Sequence, residues 1–310
     1  MIRSTRTFLA ALACSFAAFA TFAQPQSTTP LPEGAAAALA EGGALMAEAL
    51  STYPAQYPDR PLWQQAFEAG QRAISLAPDR LEGVRFLAEA YSRSNWYGPA
   101  WEQWLEYRRR GGPDVFENDP AARELLAAVG HELGYGAYTR QEFDLALDYF
   151  LSIVDLVPDD INAHVWSGRI LIETERPDGA VPYWRRVTEL DPDDDRAAYF
   201  LGLAQEQARW GTRAVNSFRE GVAYYESDRR GEAEERFARA AVLNPGYVAA
   251  WAWHGRVAFE RSSYAEAARL YERALGLDPG NENYTYFRRE ALRRVGQTDA
   301  ARTGEEADGD

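Results

Sequence analysis

Three histidines and one cysteine are the residues of this 310-residue chain with the widest choice of chemistry. His131, His164 and His254 could act as bases or metal ligands, but no two of them stand at the i,i+4 spacing that puts two imidazoles on one helix face. Cys14 is the single cysteine and has no partner for a disulfide or a thiolate metal site. The phosphate-binding loop, dinucleotide and nucleophile-elbow motifs are all absent. We therefore expect no catalytic residue, no metal site and no cofactor.

Carboxylates are abundant, but they gather in short turns. Asp159-Asp160 and the run Asp191–Asp195 each directly precede a predicted helix, where a carboxylate accepts hydrogen bonds from the free N–H groups of the first turn. A calcium loop needs alternating ligands around a glycine, and Asp191–Asp195 lacks one. These carboxylates are predicted to cap helices. His254 stands among small residues and is interpreted as a packing residue.

Two segments carry tryptophan, arginine, a hydrophobic residue and glutamate in the same order and at the same spacing. They consist of Trp166, Arg169, Ile172 and Glu173, and of Trp253, Arg256, Phe259 and Glu260. An exposed large aromatic side chain beside an arginine is a typical anchor for a partner chain. The alternative is that the tryptophans pack against a neighbouring helix. The sequence leaves both interpretations open for Trp166 and Trp253.

The second of these segments lies in the unit Val248–Pro279, which fits two amphipathic helices with a turn near Arg261–Ser263. Its landmarks are Trp251, Gly255, Ala267, Tyr271, Ala274 and Pro279. Small residues at Gly255 and Ala267 let the two helices approach closely, and a proline ends the unit. One such hairpin cannot bury both of its faces alone, so neighbouring units must stack on it.

This pattern, Trp-x2-hydrophobic-Gly, then Ala-x3-Tyr, then Pro, resembles the tetratricopeptide repeat. His254 departs from the leucine usual in the family, and Ala258 from the usual tyrosine. The resemblance implies an all-α, right-handed superhelical solenoid of helix hairpins, with about six to seven repeats over residues 34–296 and a C-terminal capping helix at Glu282–Val295.

The 34-residue period recurs with three irregularities. Pro158 and Pro192 are 34 residues apart, as are Pro245 and Pro279, whereas Pro192 and Pro245 are 53 apart. Within that longer interval, Thr212–Glu226 matches both the second helix of the repeat opened by Leu201-Gly202 and the first helix of the next repeat. Glu33–Leu50 and Leu62–Leu76 form a degenerate first repeat. Asp114–Leu126 is an insertion, predicted to add a helical turn near Asp119-Pro120.

A second aromatic cluster surrounds the turn before this insertion. It consists of Trp96, Tyr97, Trp101 and Trp104. The motif makes Trp104 a core residue. Trp96 and Trp101 either cover the insertion or form a surface patch, and the sequence does not choose between these arrangements.

In the tetratricopeptide family, the first helices line a concave groove. Carried onto this chain, the resemblance implies partner-binding residues at Tyr135, Tyr138, Trp166, Arg169, Tyr199, Phe200, Trp253 and Arg256. Packing is the favoured alternative for Tyr135, Tyr138 and Phe200. An earlier first helix presents Arg85, Phe86 and Glu89. The family's clamp for chaperone tails needs lysine and asparagine at set positions, and this chain has no lysine, so that activity is not implied.

The two ends of the chain differ from its centre. Residues 1–23 resemble a secretory signal peptide, with Arg3 and Arg6 ahead of an apolar run too short for a typical membrane span. A retained anchor and lipidation of Cys14 are the alternatives to cleavage. Residues 24–33 are predicted to be a flexible linker, and residues 297–310 an acidic disordered tail. We expect an exported protein of the periplasm or cell envelope, with no membrane span in the mature chain.

The formal net charge of −14 argues against a nucleic-acid partner, which would require a basic face. The sequence as a whole favours a non-enzymatic scaffold that binds another protein or a peptide. The alternative is a module that binds cell-wall glycan through its aromatic side chains. A third hypothesis, an enzyme with scattered acidic residues, has no motif in its favour.

Overall fold

The computed structural model describes residues 29–307, with side chains described for residues 29–297. This part of the chain contains 14 α-helices and no strand, which confirms the all-α prediction. The predicted signal peptide and residues 24–28 of the linker lie outside the described residues. The chain divides into two compact units, Met1–Ala163 and His164–Asp310.

The first unit contains α1 (Glu33–Thr52), α2 (Pro61–Leu76), α3 (Glu82–Arg93), α4 (Tyr97–Gly111), α5 (Pro120–Thr139) and α6 (Phe143–Leu156). Helix α7 (Ile161–Glu173) starts in the first unit and continues into the second. The second unit contains α8 (Pro177–Leu190), α9 (Asp195–Trp210), α10 (Thr212–Glu226), α11 (Arg230–Leu243), α12 (Val248–Glu260), α13 (Tyr264–Leu277) and α14 (Glu282–Ala307). No helix of residues 29–307 combines the length and the apolar character that a membrane span requires.

Close helix pairing is set by a small residue on the first helix of a hairpin and a large ring on the second. A Cβ atom at Gly168 would lie 2.6 Å from Trp184 Nε1, and one at Gly221 would lie 2.7 Å from Phe237 Cε1. Both distances are too short for any larger residue unless a ring moves. Gly134 and Phe150, and Gly255 and Tyr271, pair in the same way.

Five hairpins share one turn. The turns joining α3 to α4, α5 to α6, α7 to α8, α10 to α11 and α12 to α13 contain Asn95, Gln141, Glu175, Asp228 and Ser262, with φ between 55° and 64°. In each turn the next residue donates its N–H to the carbonyl five residues earlier, at 2.7 to 3.0 Å. This is the Schellman arrangement, normally built around glycine. The shared turn marks the beginning of every second helix except α2, which follows a proline-rich loop.

The insertion extends a helix and closes a small core. Asp119 accepts a hydrogen bond from the Ala122 N–H and caps α5, which runs unbroken from the inserted segment into the next hairpin. Val115 and Phe116 are buried, and the Phe116 ring lies 5.7 Å from that of Tyr107. The two tryptophans considered for this role pack on aromatic rings outside the insertion. Trp101 packs on Tyr149, and Trp96 packs on Phe67 and Tyr91.

Helix α10 takes only one of the two roles predicted for it. It forms a hairpin with α11 through the Gly221–Phe237 contact, whereas Gly202 on α9 is exposed and a Cβ atom added to it would lie in open space. Only Gly211, with φ of 86°, separates α9 from α10, so the shared turn cannot form there. Phe218 of α10 packs on Phe237 and Tyr247. The described residues therefore contain six hairpins, the single helix α9 and the terminal helix α14.

Helix α14 covers the last hairpin as predicted. Phe287 stacks on Tyr271 with ring centroids 5.5 Å apart, and Ala291 is buried. Its backbone remains helical through Ala307, beyond the predicted boundary at residue 296. Residues 297–307 contain three alanines, two glutamates and no proline, and alanine and glutamate both favour a helix.

Because the shared turns hold non-glycine residues at positive φ, we expect substitution with glycine to stabilise the protein. Glu175→Gly removes a left-handed cost of about 1–2 kcal/mol, of which the flexibility of glycine in the unfolded chain offsets about 0.5–1 kcal/mol. We expect the thermal unfolding midpoint to rise by about 1–3 °C. Asn95→Gly is the control, because asparagine tolerates this conformation and its side chain hydrogen-bonds to the Gln56 carbonyl and the Tyr97 hydroxyl. A rise for Asn95→Gly and none for Glu175→Gly would contradict this account.

Candidate functional site

The most elaborate surface arrangement of the second unit surrounds Trp253 on α12. The Tyr225 ring meets the half-buried Trp253 ring edge-on, with centroids 5.1 Å apart, and the Arg256 guanidinium lies 5.0 Å from the Trp253 centroid. Arg230 from α11 lies over Tyr225 at 3.8 Å. We call Tyr225, Arg230, Trp253, Arg256 and Glu260 the Trp253 cluster. The cluster spans α10, α11 and α12 and combines two aromatic rings with two guanidinium groups.

Glu260 holds this cluster together. Its Oε1 accepts hydrogen bonds from the Tyr225 hydroxyl at 2.5 Å and from Arg256 Nε at 3.2 Å, and its Oε2 lies 3.2 Å from Arg230 Nε. Burial, together with the hydrogen bond to Glu260 and its charge, raises the pKa of Tyr225. Because one carboxylate fixes a phenol and two guanidinium groups, the rings need little reordering when a partner arrives.

Helix α7 repeats the α12 arrangement in a simpler form. The Arg169 guanidinium lies 4.9 Å from the centroid of the half-buried Trp166 ring, and Arg169 Nε donates to Glu173 at 2.8 Å. We call these three residues the Trp166 row. The structure thus brings together both predicted Trp–Arg pairs. In each pair the tryptophan is half-buried. Part of each ring therefore packs against the protein, and part is exposed to solvent.

Tyr199 and Phe200 have different roles although they are adjacent on α9. Phe200 stacks on Trp184 with centroids 4.7 Å apart, which is the packing alternative. Tyr199 is 55% exposed; the Arg219 guanidinium lies 5.3 Å from its ring and donates to its hydroxyl oxygen at 2.9 Å. Arg219 in turn donates to Glu206 at 2.9 Å. Tyr199, Arg219 and Glu206, here called the Tyr199 cluster, form a third aromatic–arginine–glutamate arrangement.

Tyr135 and Tyr138 lie on α5 in the first unit. Tyr135 is 53% exposed. Tyr138 is half-buried, and its ring meets that of Phe143 at 5.6 Å within the α5/α6 hairpin, as the packing alternative requires. Their assignment to a partner-binding groove stays a prediction.

Two residues of the Trp253 cluster were missed in the sequence. Tyr225 becomes visible only when α10 is aligned as a first helix, because it then follows Gly221 by four residues just as Phe259 follows Gly255. Arg230 opens a second helix, and no spacing within one repeat relates it to Trp253. Contacts between consecutive hairpins therefore build more of this site than the motif indicates.

Arg85, Phe86 and Glu89 are structural residues. Arg85 donates to both carboxylate oxygens of Asp119, at 2.5 and 3.2 Å, and to Glu89 at 2.9 Å. Phe86 packs into the core of the first two hairpins. Burial raises the pKa of Asp119, but the hydrogen bonds and charge of Arg85 outweigh it and hold that pKa below its ordinary value.

The histidines stand apart from one another in the described structure. His131 Nε2 lies 3.0 and 3.1 Å from the two carboxylate oxygens of Asp160, and Asp160 accepts from the Ala163 N–H, as the capping prediction requires. Asp194 caps α9 by accepting from the Arg196 N–H.

His254 is half-buried, and its Nδ1 has no hydrogen-bond partner among the described residues. Burial lowers the pKa of His254, although the charge of Glu266 acts in the opposite direction. Across the described residues, no three His, Cys, Asp or Glu side chains are grouped to hold a metal ion.

The tetratricopeptide repeat family model matches residues 167–217 and 218–282. The junction between these matches falls inside α10, the helix at which the repeat phase changes. Residues 167–282 thus match the tetratricopeptide repeat family, as the spacing of their residues predicted.

Two known proteins with similar sequences are much longer than this chain. The chain is 24% identical over 161 residues to human protein O-mannosyl-transferase TMTC3. The aligned region is 52% of this chain and 17% of that protein. It is 24% identical over 166 residues to the peroxisomal targeting signal receptor of Candida albicans, which covers 43% of this chain and 28% of that protein. The chain thus spans less than a third of either relative.

Solved structures with similar folds include a tetratricopeptide repeat protein from Parabacteroides merdae, with 11% identity, a TM-score of 0.33, and coverage of 82% of this chain and 99% of that one. PilF from Pseudomonas aeruginosa has 16% identity, a TM-score of 0.29, and coverage of 83% and 100%. YrrB, described as having an unusual peptide-binding site, has 17% identity, a TM-score of 0.28, and coverage of 71% and 97%.

The Arg85–Asp119 pair predicts a pH-dependent contribution to stability. Asp119→Asn leaves the largely buried Arg85 without its main charge partner, and we expect a loss of about 2–4 kcal/mol in the free energy of unfolding at pH 7. The pKa of Asp119 is lowered in the folded state, so the wild-type contribution is complete above the unfolded pKa of about 3.9 and is lost as the pH falls through the folded pKa. Urea unfolding of both proteins between pH 7 and pH 3 measures the difference. A difference that stays constant over this range would contradict the assignment.

Proposed function

We propose that this chain is a non-enzymatic scaffold that binds a protein or peptide along α7, α9 and α12. The observation that supports this proposal is the threefold occurrence of one arrangement. The Trp166 row, the Tyr199 cluster and the Trp253 cluster each place a guanidinium against a partly exposed aromatic ring and fix that guanidinium with a glutamate. The repeat core requires none of these arginines or glutamates.

The arrangement suits an extended peptide. Tryptophan and tyrosine offer large contact areas at a low cost in side-chain entropy, and arginine is enriched with them among the residues that dominate interfaces. Arg256 is about half exposed, so its guanidinium can reach a partner carboxylate while Glu260 still orients it. We propose that the partner places an apolar side chain on Trp253 and a carboxylate beside Arg256.

Glycan binding is the alternative. A sugar ring would stack on the face of an indole, and Arg169 and Arg256 already lie over Trp166 and Trp253. A sugar on those faces would have to displace the guanidinium groups from their rings and glutamates. This favours the peptide partner.

Paired substitution of the two tryptophans tests the proposal. A partner enriched on the wild-type chain is identified, purified and titrated by isothermal calorimetry against Trp166→Ala/Trp253→Ala. We expect its Kd to rise by about tenfold or more, because each substitution removes an aromatic anchor. Trp96→Ala is the matched control, since Trp96 is also partly exposed but belongs to the first unit and lies outside all three arrangements.

Two results would contradict the proposal. One is a partner whose Kd is unchanged by the double substitution. The other is retention of purified cell-wall glycan by the wild type and not by the double variant, with no protein or peptide dependent on either tryptophan.

We also propose that the protein acts in the periplasm or cell envelope. Support comes from the basic start, the apolar run and the small residue at Ala23 in residues 1–23. We expect N-terminal sequencing of the protein from its native cells to begin at Gln24. A protein that begins at Met1 and fractionates with the cytoplasm would contradict export.

A further inference from the structure

A groove separate from the three aromatic–arginine–glutamate arrangements lies between two second helices of the first unit. It has a volume of about 550 Å³ and is lined by Leu105 and Arg108 from α4 and by Asp148, Leu151, Ser152, Asp155 and Leu156 from α6. The lining residues of α6 recur at i, i+3, i+4, i+7 and i+8, so one helix face forms most of the surface. We call this the α4/α6 groove.

Helix α6 carries more apolar side chains than its own hairpin buries. One face packs Ala146, Leu147, Phe150 and Ile153 into the core. Leu151 and Leu156 remain half-buried on the groove side, and Leu145 one turn earlier is 43% exposed. Across the groove, Leu105 is 41% exposed. Leu105, Leu151 and Leu156 together form the apolar floor of the groove, which is open to solvent.

The charges around this floor are unpaired within the described structure. Asp148 and Asp155 are exposed and their carboxylates make no ion pair with a described residue. They lie seven residues apart, which places them about 10.5 Å apart along the helix axis. Helix α6 has no basic residue of its own. Arg108 is half-buried and has no ion-pair partner there either, although the adjacent Arg109 and Arg110 both pair with Glu106.

The groove is bounded by a fixed contact. The rings of Trp101 on α4 and Tyr149 on α6 meet edge-on with centroids 5.7 Å apart, and Trp101 is buried. This contact joins the two helices one turn before Leu105 and beside Asp148. The groove walls are therefore set by core packing before any partner binds.

We propose that the α4/α6 groove docks a basic amphipathic helix of a partner protein. An apolar stripe on the partner at i, i+3 and i+7 would lie on the leucine floor, as in other helix-in-groove complexes. Two basic residues seven positions apart match the spacing of Asp148 and Asp155, and a partner carboxylate would reach Arg108. The net charge of these three groove residues is negative, so charge complementarity selects a basic helix over an acidic one.

A designed peptide tests the proposal directly. The probe is a fluorescein-labelled amphipathic peptide of about 15 residues, a length at which an isolated helix becomes marginally stable. It carries leucines at i, i+3 and i+7 and arginines seven residues apart, and its binding to the full chain is followed by fluorescence anisotropy. We expect Asp148→Lys/Asp155→Lys to raise its Kd by about tenfold or more. A second peptide with glutamates in place of the arginines should bind this variant more tightly than it binds the wild type.

Matched variants separate the groove from general electrostatics. Glu124→Lys/Glu235→Lys makes the same change in net charge at two exposed carboxylates without ion pairs in the described structure, and should leave the Kd unchanged. Leu105→Ser should weaken both peptides, because it removes apolar floor without changing charge. Trp166→Ala/Trp253→Ala should have no effect, so the groove and the proposed peptide-binding surface of the second unit can fail independently.

Three results would overturn the proposal. The arginine peptide could bind the wild type and Asp148→Lys/Asp155→Lys equally. The glutamate peptide could fail to recover affinity for that variant. Sedimentation could show that the chain alone forms a dimer that the same substitutions dissociate, in which case a second copy occupies the groove. Unchanged melting midpoints of the variants establish that they remain folded.

Discussion

The contact between a small residue on a first helix and a large ring on a second helix determines most of what this chain presents to its surroundings. At Gly168 and Gly221 the approach is so close that a methyl group would collide with the ring of Trp184 or Phe237. Once the glycine faces its ring, the rotation of the first helix is fixed. On α7 and α12 that rotation leaves the tryptophan two residues before the glycine half-exposed, and carries the arginine and glutamate after it to the surface. The glycine–ring contact thus brings these three positions to the surface, although it does not require tryptophan, arginine or glutamate there.

Helix α9 lacks this contact and is held in a different way. No ring of the described residues covers Gly202. Phe200 stacks on Trp184 in the first half of α9, and polar and aromatic contacts hold the C-terminal end of the helix. The Tyr247 hydroxyl donates to Glu206 at 2.6 Å, and the Tyr247 ring stacks on Trp210 with centroids 5.2 Å apart. Glu206 also fixes Arg219 beside Tyr199. The Tyr199 cluster therefore spans α9 and α10, two consecutive helices that do not pair as a hairpin.

The sequence was sufficient wherever the relevant contacts are local. The Trp–Arg–Glu rows could be predicted because residues three, four and seven apart share a helix face, and most helix bounds followed from periodicity and proline positions. Arg85 was misassigned because its partner, Asp119, lies 34 residues further along the chain, in an insertion. Tyr225 was missed because its position in the repeat depends on which helix α10 pairs with. Both failures concern contacts between hairpins, which no single repeat encodes.

The two proposed binding surfaces differ in how their charge is balanced. In the Trp166 row and the Trp253 cluster, each arginine is already paired with a glutamate, so a partner gains chiefly from aromatic contact and only secondarily from charge. In the α4/α6 groove, Asp148, Asp155 and Arg108 have no such pairing among the described residues, and a partner meets their charge without first breaking an ion pair. Salt screens exposed, unpaired charges strongly and contacts between apolar surfaces hardly at all. Recognition at the groove therefore depends on ionic strength and on the sign of the partner's charge, whereas recognition at the tryptophans depends mainly on the shape of the side chain that covers them.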